Sequence, residues 1–276
     1  MIKDIIVNLP LRAAPDVVPS FAVSVANNFG AHLTGVAFVY EPILVGAEMG
    51  ASVPVEYIDA QEAESKELAD AAVSRLQSAA RPVDIGLDTL QVKASAAGAP
   101  KRFAEMARRF DLAVVGQAKP DASAIDGLFV EETLFDSGRP VLVVPYTQRD
   151  PLKLDRIAIC WDGSRPAARA VADAMPFLKM ASVVDIMVAK GERAKSDEMP
   201  AADIAQHIAR YGLNVEVHRV VTTIDIASTI LNFAADRSTD LLIMGGYGHT
   251  RLREFVLGGA TLGILNSMTV PTLMSH

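Results

Sequence analysis

The sequence predicts an α/β chain made of two tandem copies of one domain, each a parallel sheet covered by helices on both faces. Three observations carry that expectation. The same strand sequences recur in the same order in the two halves. The strands are short, continuous apolar runs, as expected where both sheet faces are buried. Helical patterns separate them, which is the alternation that builds parallel sheets.

Ile5-Ile6-Val7-Asn8-Leu9 opens the first copy and has its counterpart in Ile157-Ala158-Ile159-Cys160-Trp161. Leu112-Ala113-Val114-Val115-Gly116 matches Leu241-Leu242-Ile243-Met244-Gly245, and Arg139–Val144 matches Val270–Ser275. Each half therefore alternates strand and helix and closes on a fifth strand. In the second half the strands are expected near 156–161, 183–189, 215–221, 240–245 and 271–275. Helices are expected over Pro166–Leu178 and Ile226–Ala235, the latter capped by Thr223 or Asp225. The first half is longer before its second helix, which is predicted over Asp59–Ala80. The apolar, Gly- and Ala-rich stretch from Pro42 to Val55 reads as a surface loop on its own domain, or as a lid or partner-contact patch. Gln148-Arg149-Asp150-Pro151 is a short polar linker, dividing a domain over 1–149 from one over 150–276.

A chain of 276 residues, half of them hydrophobic and 21% charged, has the composition of a well-cored globular protein. A net charge of −7 argues against a general nucleic-acid or anionic-membrane binder. It leaves local phosphate binding open, because backbone amides need no net positive charge. One cysteine, Cys160, rules out an internal disulfide and reads as a small core residue. The N-terminus shows no signal-peptide pattern. The 42–55 stretch is too short to span a bilayer and is broken by Glu48. A soluble, cytoplasmic protein without membrane or nucleic-acid partners is expected. His32, His207, His218 and His276 show no metal-ligand spacing, so no metal site is expected.

The functional signal is concentrated near the C-terminus. The apolar run ending at Met244 leads into Gly245-Gly246-Tyr247-Gly248, then nine residues, then Gly258-Gly259-Ala260-Thr261. A buried strand that enters a glycine turn and then a helix can cradle phosphate, because backbone N–H groups approach closely and the helix start adds donors. Gly258, Gly259 and Ala260 would present amides there, with the Thr261 hydroxyl as a further donor or as a helix cap. His249 or Arg251 could reach a phosphate. Asp162-Gly163-Ser164 directly follows the first strand of the second copy. Asp162 suits a carboxylate that accepts from a ribose hydroxyl or adenine amino group, or holds a metal near phosphates; it equally suits a turn before the helix at Pro166. Trp161 lies beside the proposed pocket as a packing residue and a fluorescence reporter.

The Gly245-x2-Gly248-x9-Gly258 spacing, together with Asp162 after the strand, resembles the universal stress protein family, over the whole chain as two tandem copies. The resemblance implies open, five-stranded, Rossmann-like sheets of the adenine-nucleotide-binding type. The ligand implied is ATP, ADP or AMP, with or without magnesium, outside the carboxyl ends of the strands where strand order reverses. It implies adenosine contacts at Asp162, Gly163 and Ser164, and backbone contact to the adenine edge from Val188 and Ala189. Around ribose and phosphate it implies Met244, Gly245, Gly248, His249, Gly258, Gly259, Ala260 and Thr261. One position departs: the family usually has Ser or Thr where this chain has Gly259, a loss of about 1 kcal/mol for one hydrogen bond.

Aligning the halves puts Asn8, Leu9 and Pro10 opposite Cys160, Trp161 and Asp162, so the first half lacks the carboxylate. Gly116 and Gly127 stand opposite Gly245 and Gly258, Lys119 opposite Gly248 and Leu128 opposite Gly259. Asp121, Asp126, Glu131 and Glu132 would repel a phosphate there. One nucleotide site per chain is therefore expected, in the second half, with the first half structural or regulatory. The resemblance also implies association. Val141–Val144 and Thr272–Ser275 could pair within the chain as a pseudo-two-fold unit, and two chains could form a homodimer. The function expected is an ATP-binding stress or regulatory protein, the alternative an interaction scaffold that binds no nucleotide. No Walker-type Gly-Lys-Ser and no Ser-Gly-Gly-x-Asp-Ser loop is present, so catalysis beyond slow ATP hydrolysis is not expected.

Overall fold

A computed structural model describes residues 1–12, 17–42, 54–119, 124–191, 201–222, 224–246 and 259–276. The elements of the first half are β1 (Asp4–Asn8), α1 (Val18–Phe29), β2 (His32–Tyr40), α2 (Val55–Ala80), β3 (Leu87–Ala94), α3 (Ala99–Ala107), β4 (Leu112–Gly116), α4 (Ala124–Asp136) and β5 (Val141–Val144). The second half repeats the order with β6 (Arg156–Cys160), α5 (Arg165–Leu178), β7 (Val183–Gly191), α6 (Ala201–Ala209), β8 (Val215–Thr222), α7 (Ile226–Asp236), β9 (Leu241–Gly245), α8 (Gly259–Ser267) and β10 (Thr272–Ser275). Helix α2 starts four residues earlier than predicted, on Pro54. Asp225 caps α7, its Oδ1 accepting from Ser228 N–H at 2.9 Å.

The strands form one ten-stranded sheet in the order β3-β2-β1-β4-β5-β10-β9-β6-β7-β8. Pairing is parallel within each half. The expected seam is antiparallel: Thr272 faces Val143, Leu273 faces Leu142 and Met274 faces Val141. Both fifth strands are buried along their whole length, so the seam removes two apolar edges from water.

Alternation along each strand sends side chains into two cores. On β1, Ile5 and Val7 join α1, α2, α5 and α6 on one face, while Ile6 joins α3, α4, α7 and α8 on the other. The halves also meet outside the seam. Phe29 of α1 packs edge-on against Phe177 of α5, with ring centroids 4.8 Å apart. The linker is tied down just beyond its polar stretch. Leu152 N–H donates to Ser24 Oγ at 2.9 Å, Asn28 donates to the Leu152 carbonyl, and Leu152 and Leu154 are buried. No helix among the described residues is long and apolar enough to cross a membrane.

Candidate functional site

Strand β6 is where the order of the second half reverses. It pairs with β7 on one side (Cys160 opposite Met187) and with β9 on the other (Cys160 opposite Met244). That is the position at which open parallel sheets leave a crevice beyond their carboxyl ends. Trp161 N–H continues the ladder one step, donating to the Met187 carbonyl at 2.9 Å, and the chain then turns away. Asp162 is exposed and its Oδ1 accepts from Ser164 N–H at 2.9 Å. Gly163 has φ 76°, a left-handed conformation suited to glycine. Ser164 caps α5, its Oγ accepting from Ala167 N–H at 3.2 Å. The turn reading of Asp162 therefore holds, and its carboxylate stays at the solvent-facing rim.

Met244 and Gly245 end β9 beside this turn. A Cβ on Gly245 would lie 2.5 Å from Ala167 N and 2.7 Å from Pro166 C, so the first turn of α5 rests directly on Gly245. Gly246 N–H donates to the Ser275 carbonyl at 2.9 Å, and its carbonyl lies 3.0 Å from His276 Nδ1. A Cβ on Gly246 would lie 2.4 Å from Leu134 Cδ2, on α4 of the other half. Both glycines thus have a packing reason that operates without a ligand. Val188 (4% exposed) and the half-buried Ala189 follow Met187 along β7. Gly259 opens α8, and a Cβ added to it would meet nothing within 4 Å. Ala260 is half-buried, and Thr261 is buried inside the first turn. Gly248, His249 and Gly258 lie outside the described residues, as do Tyr247 and Arg251.

Two side chains near the turn have features a ligand site would use differently. Trp161 Nε1 is buried with no hydrogen-bond partner among the described residues. Burial pushes the Cys160 thiol up to about 12, with Asp162 adding to the shift, so it stays protonated and unreactive at neutral pH.

The first half reproduces two backbone bonds of this frame. Leu9 N–H donates to the Val36 carbonyl as Trp161 does to Met187, and Gln117 N–H donates to the Val144 carbonyl as Gly246 does to Ser275. Pro10 accordingly stands where Asp162 stands, as the alignment expects. The alignment of Gly127 and Leu128 with a helix start needs correction. Helix α4 already runs from Ala124, so both residues lie within it. Between the carboxyl ends of β1, β2, β4 and β5 is a cavity of about 800 Å³. Sequence reasoning did not find it. The available signal was the exchange of Trp161 for the smaller Leu9, which is one of the cavity's lining residues.

A second group missed in the sequence gathers at the opposite end of the second half's strands. Asp185 on β7, fully buried, accepts from Arg156 Nη1 at 2.8 and 3.0 Å, from Arg237 Nη2 at 3.0 Å and interacts with His218 Nε2 at 2.8 Å. Glu216 pairs with Arg237 as well. Asp185, Glu216 and His218 could by spacing hold a metal ion, but two guanidinium groups already occupy the carboxylates, and the cluster reads as an ion-pair network. Burial raises the Asp185 pKa, and the hydrogen bonds from Arg156, Arg237 and His218 outweigh it, leaving the carboxyl below its ordinary value. The available signal was Glu216-x-His218, two residues on the same face of one strand.

Comparison with known proteins agrees with this architecture. The universal stress protein family model matches residues 153–276. The curated universal stress protein Slr1230 of Synechocystis sp. is 24% identical over 170 residues, covering 59% of this chain. The match spans 57% of that relative's length. A universal stress protein from Archaeoglobus fulgidus superposes with a TM-score of 0.72 at 16% identity, over 99% of this chain and 97% of its own. A functionally unknown protein, PA1789, from Pseudomonas aeruginosa gives 0.61 at 16% identity, over 99% and 92%. At these identities the superpositions establish the shared fold.

Proposed function

We propose, from the match of residues 153–276 to the universal stress protein family model, that the second half binds an adenine nucleotide, ATP foremost, as a regulatory protein. One observation carries the reading. The parallel pairing of β6 with β9 sets the Asp162–Ser164 turn beside Gly245, at the reversal of strand order. An exposed carboxylate, the tight turn that carries it and the close-packed Gly245 then share one rim with the start of α5. The orphaned Trp161 Nε1 and the open space at Gly259 fit a ligand with acceptor groups. Asp162 would hold the ribose or adenine, Val188 and Ala189 would line the base, and Gly259 would offer its amide to phosphate.

The nucleotide would act by stabilising the conformation it binds. Among the described residues this rim holds no activated nucleophile. Ser164 Oγ is engaged as the α5 cap, and the Cys160 thiol stays protonated. Calorimetry with ATP and magnesium should show one saturable site per chain. Asp162→Ala should weaken it about tenfold or more, against a stability cost of about 1 kcal/mol for the lost turn bond. Two sites, or binding untouched by Asp162→Ala, would overturn the reading.

Gly259→Ser restores a hydroxyl at a position with room for it. ATP should then bind about fivefold more tightly, the worth of one hydrogen bond; unchanged affinity would mean that this position does not face phosphate. The scaffold alternative is favoured by the packing reasons for Gly245 and Gly246, and no binding at millimolar ATP would establish it. We also infer a homodimer of these chains. Light scattering should give a mass near twice that of one chain, and a strictly monomeric mass would remove the inference.

A further inference from the structure

The cavity of the first half lies where a ligand crevice belongs in this fold, yet it lacks the acidic residue that the second half places there. Its chemistry points elsewhere. Leu9, Val18, Val115, Phe129 and Val144 are each at most 4% exposed and form a fixed apolar wall. Most buried polar groups along it are satisfied internally. Ser65 Oγ accepts from Tyr40 N–H at 2.6 Å; Gln117 accepts from Tyr146 N–H and donates to the Leu265 carbonyl at 2.8 Å.

Asn8 is 93% buried, being 7% exposed, and lines the cavity at the end of β1, the strand at which order reverses. Its carboxamide carries both donors and an acceptor, which suits an uncharged polar group. Tyr40, at the end of the neighbouring β2, likewise lines the cavity. Burial, with Asp126 adding to the effect, pushes its pKa up to about 12, so it remains a donor. Among the described rim residues, Arg12 is paired with Glu64 at 2.5 Å, and acidic Glu41, Glu64 and Asp126 outnumber basic Arg12 and Lys119. An anion entering this space would lose hydration and meet like charge.

We propose that this cavity is a second ligand site, built for an uncharged amphipathic small molecule, with an apolar body against Leu9, Val115, Phe129 and Val144 and a hydrogen-bonding head at Asn8 and Tyr40. A volume of about 800 Å³ admits a molecule of that kind. The site is independent of the nucleotide reading of the second half and stands or falls separately.

The test uses the full chain and Nile red, an uncharged dye that brightens in apolar surroundings. Saturable binding at one dye per chain is expected. Decanol should displace the dye, decanoate should require about tenfold more or beyond, and millimolar ATP should leave it in place. Ala118→Trp, at a half-buried lining position, should abolish dye binding. Should that variant fail to fold, Leu68→Trp, half-buried on the α2 side of the cavity, gives the same readout. Asn8→Leu should keep the dye and weaken decanol about fivefold. Absence of saturable binding, equal displacement by decanol and decanoate, displacement by ATP, or undiminished dye binding in the folded tryptophan variants would each overturn the proposal. Failure of ATP to bind anywhere would overturn only the nucleotide reading.

Discussion

Asp185→Ala is expected to destabilise the chain by about 3 kcal/mol near neutral pH. The carboxylate is fully buried and holds Arg156, Arg237 and His218 together. Removing it leaves two guanidinium groups beside a buried surface. They are 27% and 32% exposed and can recruit some water, which places the cost at the low end for a broken buried pair. The pH dependence follows from the direction of the shift. The folded pKa of Asp185 lies below its ordinary value of 3.8, so the stabilisation is present above that value and disappears as pH falls through the lower, folded one. Urea unfolding of wild type and variant should therefore differ fully at about pH 7 and converge as pH falls through the folded value, below 3.8. A gap that persists undiminished in acid would show that shape, not charge, is the contribution of Asp185.

Gly245→Ala is expected to cost about 2 kcal/mol in the absence of any nucleotide, as overpacking against a rigid neighbour does. The new methyl would meet the backbone of Pro166 and Ala167, which cannot rotate away as a side chain can. Gly259→Ala is the matched control, since a Cβ there meets nothing within 4 Å. Thermal melts without ligand separate the two explanations for Gly245. Unchanged stability combined with lost ATP binding would mean that ligand approach, and not the seating of α5, requires the glycine. Gly246 is expected to tolerate a methyl better, because its obstacle is the flexible end of Leu134.

Much of the fold is legible in the sequence because its signals are local or repeated. The apolar runs at Ile157–Cys160 and Leu241–Gly245 are strands, and Asp225 caps the helix it precedes. The β5–β10 pairing is implied by the family resemblance and not by a local signal, and in it the two buried fifth strands cover each other's edges. The candidate site is legible in part. Asp162, Gly163 and Ser164 form a turn whose chemistry is contained within three residues. The start of α4 is not legible from the repeat, because Gly127 aligns with Gly258 and yet lies inside the helix.

The sequence by itself determined the duplicated α/β plan, the buried strands and the turn chemistry after β6, since each depends on residues a few positions apart or on a visible repeat. Tertiary structure decided what depends on distance through space. Gln117 reaches Leu265 across 148 positions, and Arg237 reaches Asp185 across 52. Leu134 meets Gly246 from the other half of the chain. The cavity beside Asn8 likewise exists only once β1, β2, β4 and β5 align their ends, because a cleft is a property of packed surfaces and not of any segment.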